Sequence, residues 1–261
     1  MNKSLESAVL VFKLKKSIKF DTLDTYSQYL FKDLFQSYIT YFSYTIIDKS
    51  TLNWKRKSKQ YLFKEKNIEK FKKEIKNLEH GDIGFEYLKT LPNCEYKYKD
   101  IEYSISYSET SVYPTIKIIF NRSHNQINNR NLILLISEFI HDNQNEIVYG
   151  FTTVIPNEKI PAFYVEGISS ENLDELERDN LSKWANNERN CNIAIWDVFQ
   201  GNILTLNHLK NKEEISKFRS EFKEYITPLN QEVYLLDFTG LEREKLSNLN
   251  KKVVSFVNTL R

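Results

Sequence analysis

The chain has 261 residues, 41% hydrophobic and 14% aromatic, with 37 Lys or Arg against 35 Asp or Glu for a net charge of +2. That balance removes the global electrostatic case for a nucleic-acid binder, and only six Gly and five Pro exclude collagen-like or linker-dominated character. No apolar run has the roughly 20 residues a membrane-spanning helix needs, the opening "MNKSLESAVLVFKLKKSIKF" lacks a secretion signal, and Cys94 and Cys191 have no CxxC partner, so a cytoplasmic chain with two free thiols is expected.

Leu10, Phe12, Leu14, Ile18 and Phe20 recur with the period of a half-buried strand. In residues 21–47, Leu23, Leu30, Leu34, Tyr38 and Tyr41 recur at helical spacing, flanked by Phe31, Phe35, Ile39 and Phe42. This pattern predicts one long, aromatic-rich helix capped by Asp21 or Thr22.

Residues 54–76 hold ten Lys or Arg against three Glu, a local net of +7 that leaves about −5 for the rest of the chain. Ile68, Phe71, Ile75 and Leu78 predict a surface helix after the densest part, Lys55, Arg56, Lys57 and Lys59. A solvated helix face is the plainest use of such a run; a patch for phosphate or an acidic partner is the functional one.

"HGDIGFEYLK" offers Asp82, Glu86 and Lys89, too compressed for the carboxylate–lysine spacing of nucleases. "CEYKYKDIEYSISY" alternates with a phase slip at Lys99–Asp100, as in two short strands around a turn or one strand with a bulge. "TIKIIF" is a strand. "NRNLILLISEFIHDN" has the length of a buried helix, with a strand over "LILLI" as the other reading. "EIVYGFTTVI" and "AFYVEGI" read as strands, and "SSENLDELERDNLSKWANN" as an amphipathic helix.

"CNIAIWDVF" reads as a strand closed by a Gly201–Asn202 turn, after which Leu204, Leu206 and Leu209 return to the core. Then come a helix capped by Asn211 with Glu214, the strand "QEVYLLDF", and a final helix capped by Thr239 with Glu242. The sum is α+β: a mixed or antiparallel sheet with flanking helices and a long N-terminal helix. A single domain over residues 1–261 is expected. A sub-boundary between 90 and 130 is the other option, separating a helix-rich basic part (1–90) from an alternating part (130–261).

No phosphate-cradling GxxxxGKS/T or GxGxxG, no GxSxG and no HExxH occurs, and none of the four His makes an i, i+4 pair. Glu166, Asp197 and Asp237 stand near the C-terminal ends of three expected strands. Were those strands neighbours, the acids could hold Mg²⁺ and activate water against a phosphodiester. The competing use of each acid, to end a strand and begin the next turn, needs no convergence. Trp196, Asp197, Asn202 and His208 are the binding candidates within residues 193–209, although packing alone accounts for most of that stretch.

One resemblance attaches to these residues. Asp197, Val198 and Phe199, then Asn202, Leu204, His208 and Leu209, are similar to a segment of bacterial immunity proteins that neutralise type VI or polymorphic toxins. The preceding order also fits: a helix, "IVYGFTTVI", a strand and an amphipathic helix with Trp184. The resemblance covers about residues 130–240. It implies a cytosolic α+β binding protein with one cognate protein toxin or effector as partner, and neither cofactor nor metal. The basic segment departs from the acidic character of inhibitors of nuclease toxins and points away from a nuclease as the target. The alternative is a metal-dependent nuclease or nucleic-acid-binding protein of bacterial or phage defence.

Overall fold

The computed structural model describes residues 6–50, 55–76, 78, 81–90, 101–109, 112–122, 128–161 and 173–260. Among these residues ten strands form one sheet: β1 (Glu6–Leu14), β2 (Tyr41–Asp48), β3 (Lys55–Leu62), β4 (Gly81–Thr90), β5 (Ile101–Ser108), β6 (Thr115–Asn121), β7 (Ile147–Pro156), β8 (Gly201–Thr205), β9 (Ile226–Pro228) and β10 (Val233–Asp237). Their order is β3-β2-β4-β5-β6-β1-β7-β8-β10-β9, and every strand pair is antiparallel. The helices are α1 (Phe20–Tyr29), α2 (Glu65–Lys76), α3 (Asn129–Asp142), α4 (Glu175–Asn186), α5 (Ile215–Glu221) and α6 (Arg243–Phe256). No helix among the described residues is long and apolar enough to cross a membrane.

β1 is buried on both sides after its first residue, because a strand at the middle of a sheet covered on both faces has no polar side to show. Its even residues Ala8, Leu10, Phe12 and Leu14 join a first core with Leu23 of α1, Ile68 and Phe71 of α2, and Ile133 and Ile136 of α3. Its odd residues Val9 and Val11 join a second core with Trp184 of α4, Phe218 of α5 and Val253 of α6. The first three helices therefore cover one face and the last three the other. Aromatic edges lock the first core: Phe20 meets both Phe71 and Phe85 edge-on with centroids 4.9 Å apart.

The long N-terminal helix of the sequence reading is not there. α1 runs into a π-helical turn, Leu30–Leu34, and Gln36 takes a left-handed backbone (φ 47°) that stops helical continuation. The aromatics beyond it belong to β2, where Phe42, Tyr44 and Ile46 alternate into the first core. The densest basic run is likewise a strand, β3, and helix α2 starts only at Glu65.

"CNIAIWDVF" is no strand either. It is a run of tight turns held by a bridge from Ile195 to Thr259. The next strand begins at Gly201, which opposes Thr152 of β7; a Cβ there would sit 2.4 Å from Thr152 Cγ2, so this glycine serves close strand approach and not a turn. Asn211 caps a 3-10 turn through Glu213 N, and Glu242 begins α6 without a side-chain cap, so neither expected box forms. A capping box does form at Asp174 and Glu177 of α4. The expected strand "AFYVEGI", the segment "CEYKYKD" and Cys94 lie outside the described residues. Across the 90–130 region the sheet is continuous, with β5 paired to β4 on one side and β6 on the other, and residues 6–90 contribute four strands as well as two helices.

Candidate functional site

The chemically capable side chains of residues 191–209 point inward. Trp196 stacks on Trp184 at 5.5 Å with their planes 12° apart, and Trp184 Nε1 donates to the Trp196 carbonyl. Fully buried His208 bonds through Nε2 to the Cys191 carbonyl at 2.8 Å, so Nε2 carries the proton and Nδ1 accepts from Thr205 N at 2.9 Å. Burial pushes the imidazole below its usual pKa against these bonds, and the neutral ring is the form the site holds.

Asn202 is also fully buried; its amide donates to the Phe199 carbonyl and closes the turn before β8. Burial raises the Cys191 thiol to about 12, although nearby Lys13 opposes the shift. That removes the thiolate a nucleophile would need. Lys13 itself is buried in an ion pair with Glu188, its ammonium 5.3 Å from the Trp196 ring.

Asp197 and Asp237 do not converge. Asp197 Oδ1 accepts from Val198 N at 2.6 Å, and its charge acts on Tyr149 in the second core. Asp237 pairs in register with Gly201, and Gly201 with Thr152, which opposes Leu10 of the first core. Strand alternation therefore puts Asp237 on the opposite face of the sheet. There its Oδ1 accepts from Thr239 N at 2.9 Å, beside a cleft of about 570 Å³ lined by Arg122, Arg130, Gln200 and Thr239. Both arginines already have partners: Arg122 pairs with Glu6 and Arg130 donates to Thr227 Oγ1. Glu166 lies outside the described residues, and among those described no three His, Cys, Asp or Glu are grouped to hold a metal.

Lys55, Arg56, Lys57 and Lys59 stand apart from both cores, on the outer strand of the sheet. Among the described residues β3 pairs only with β2. Lys55, Arg56, Lys57 and Ser58 are exposed. Alternation turns Lys55, Lys57, Lys59 and Tyr61 toward α2 and leaves Arg56, Ser58, Gln60 and Leu62 on the other side. On the α2 side Lys57 pairs with Glu74 at 2.6 Å, and Glu74 also accepts from the Tyr44 hydroxyl. Burial raises the Glu74 carboxyl, but the bonds from Lys57 and Tyr44 and the charges of Lys57 and Lys59 outweigh it and hold it below the usual range.

Leu62 lies open at the end of β3 at 58% exposure; Tyr38, 70% exposed, sits instead beside β4, with the Lys89 ammonium 4.4 Å from its ring. The sequence signal for this edge is the period-two run Lys55, Lys57, Lys59, Tyr61. Compared with protein-family models, curated proteins and solved structures, the chain matches none.

Proposed function

We propose that this chain is a non-enzymatic inhibitor: it binds one cognate bacterial toxin or effector and blocks it, in the manner of the immunity proteins it resembles. The observation that carries this reading is a division of labour. Trp196, Asn202, His208 and Cys191 are held in the interior, whereas the chain's charge asymmetry is displayed on the outer strand β3 and helix α2. A sheet covered on both faces, with one basic edge unpaired among the described residues, suits recognition of a protein surface. Trp196, Asp197, Asn202 and His208 then act on binding by holding the scaffold, and Lys55, Arg56, Lys57 and Lys59 meet the partner.

The test is co-expression. A protein that copurifies with this chain and arrests growth when expressed alone is expected to lose its toxicity when the two are made together, through an interface near the standard ~1,600 Å². Turnover of any substrate by the purified chain overturns the reading.

A second reading, a nucleic-acid-binding protein, draws on the Arg122 and Arg130 cleft and on the basic β3–α2 surface. It requires binding that weakens steeply with salt.

A further inference from the structure

We infer that β3 is the strand to which the partner adds: an acidic, extended segment of the bound protein pairs along its outer edge and continues the sheet. This rests on the inhibitor reading and specifies how the same surface works. The backbone geometry comes first. Phe63 N donates to Thr40 O at 2.8 Å, and the register pairs Phe42 with Tyr61, Tyr44 with Lys59 and Ile46 with Lys57. In an antiparallel ladder backbone groups alternate sides. The odd-numbered residues of β3 thus bond to β2, and Arg56, Ser58, Gln60 and Leu62 aim N–H and C=O outward.

The two ends of the sheet are finished differently. The β9 edge has three residues and ends in Pro228, which cannot donate to a further strand. The β3 edge has eight residues, no Pro, and four cations among them. Lysine on an edge ordinarily prevents pairing between identical chains. A second copy of β3 would bring four cations against four. An acidic strand meets the same residues favourably, because opposite charges on neighbouring strands attract. Repulsion of like copies does not require Leu62 to stand open at the end of the row; a docking strand uses it as an apolar contact. Lys57 is already tied to Glu74 and Lys59 lies against Tyr61 and Glu74, which leaves Lys55 and Arg56 to select the acids.

The probe is a synthetic peptide as long as β3 that alternates Glu with Val, with a Lys/Val peptide as its counterpart, added to the full chain. Amide hydrogen exchange should slow at Arg56, Ser58, Gln60 and Leu62 with the acidic peptide only. Gln60→Pro removes an outward N–H and none of the β2 ladder; it should weaken binding by about tenfold or more, as expected when an edge hydrogen bond and its neighbours are lost. The double charge reversal Lys55→Glu/Arg56→Glu, which does not touch the backbone, should transfer preference to the Lys/Val peptide. Protection elsewhere, undiminished binding by Gln60→Pro, or no protection at millimolar peptide overturns strand addition. Full neutralisation of the toxin by Gln60→Pro also overturns it while the inhibitor reading stands; a wild-type chain that neutralises no toxin sinks that reading itself.

Discussion

The ring of His208 donates from Nε2 to the carbonyl oxygen of Cys191 at 2.8 Å, joining the end of β8 to the irregular segment that carries Trp196. The segment has few ladder bonds of its own. Ile195 bridges to Thr259, Ile195 N donates to Asn258 O, and Asn258 N donates to His208 O. His208 therefore sits where three pieces of chain, distant in sequence, are tied together. Its buried nitrogens have defined roles, one donor and one acceptor; a second proton, on Nδ1, would break the bond from Thr205 N and have the hydroxyl and carbonyl oxygens of Thr205, at 3.1 and 3.3 Å, as its acceptors.

A pH dependence follows from this arrangement. Burial lowers the folded-state pKa of His208 below the unfolded value near ~6.5. Above ~6.5 neither state binds the extra proton and the contribution is constant. As the pH falls toward the folded pKa the unfolded state takes the proton first, and stability drops by up to about 1.4 kcal/mol per pH unit. Urea midpoints from pH 7.5 down to ~5, above most carboxylate titration, should fall for the wild type and change less for His208→Gln. Equal slopes would remove His208 as the cause.

Trp196 separates architecture from direct recognition. Its ring contacts Trp184, Phe151 and Tyr149, and little of it reaches solvent. Trp196→Ala should cost about 3–5 kcal/mol, as for other buried large-to-small aromatic changes. Arg56→Ala should stay within about 0.5 kcal/mol, the usual range for an exposed substitution. Thermal and urea unfolding of the two variants measures this directly. A Trp196→Ala protein with unchanged stability would mean the indole is presented to a partner.

Much of the fold is legible in the sequence where one period dominates over a full element. Leu132, Ile133, Ile136 and Ile140 give α3, and Val233, Leu235 and Leu236 lie in the expected last strand. Residues 41–48 are harder: Phe42, Tyr44 and Ile46 extend the helical stripe of α1 as readily as they alternate, and pairing with β4, distant in sequence, decides between them. Lys55, Arg56, Lys57 and Lys59 are legible as charged surface. Their place on a sheet edge is not, because it depends on β2 pairing with both β3 and β4, which no local pattern encodes. Gly201 misleads for the same reason: its lack of a side chain answers to Thr152 across the sheet and not to a turn.

That last contact predicts a compensating pair. In Gly201→Ala the new methyl would lie 2.4 Å from Thr152 Cγ2, and Thr152 is buried and stiff at χ1. The single change should cost about 1–3 kcal/mol, the usual cost of overpacking. Thr152→Ser removes the clashing methyl, so the double variant should recover most of the loss, with a coupling energy of about 1 kcal/mol or more. Additive losses would mean that the Thr152 methyl is not the source of the strain, since the next neighbour, Leu235 Cδ1 at 3.8 Å, is at ordinary contact distance.

The two aspartates give the sharpest division between a scaffold and a reaction centre. Each uses an oxygen on a nearby backbone N–H, Asp197 on Val198 and Asp237 on Thr239, and the sheet stands between them. Replacing either with Ala should cost about 0.5–2 kcal/mol, the range for losing a side-chain cap of this kind. Since the sites lie on opposite faces of the sheet, the double variant should lose the sum within about 0.5 kcal/mol. Two carboxylates on one metal pair would have to lie within reach of ions about 4 Å apart. They would then couple strongly, and millimolar Mg²⁺ would raise the melting temperature of the wild type alone. Unfolding of the wild type, both single variants and the double variant, with and without Mg²⁺, distinguishes the two cases: additive losses and no Mg²⁺ shift are expected, because an acid that holds its own turn has no reason to sense another acid across the sheet.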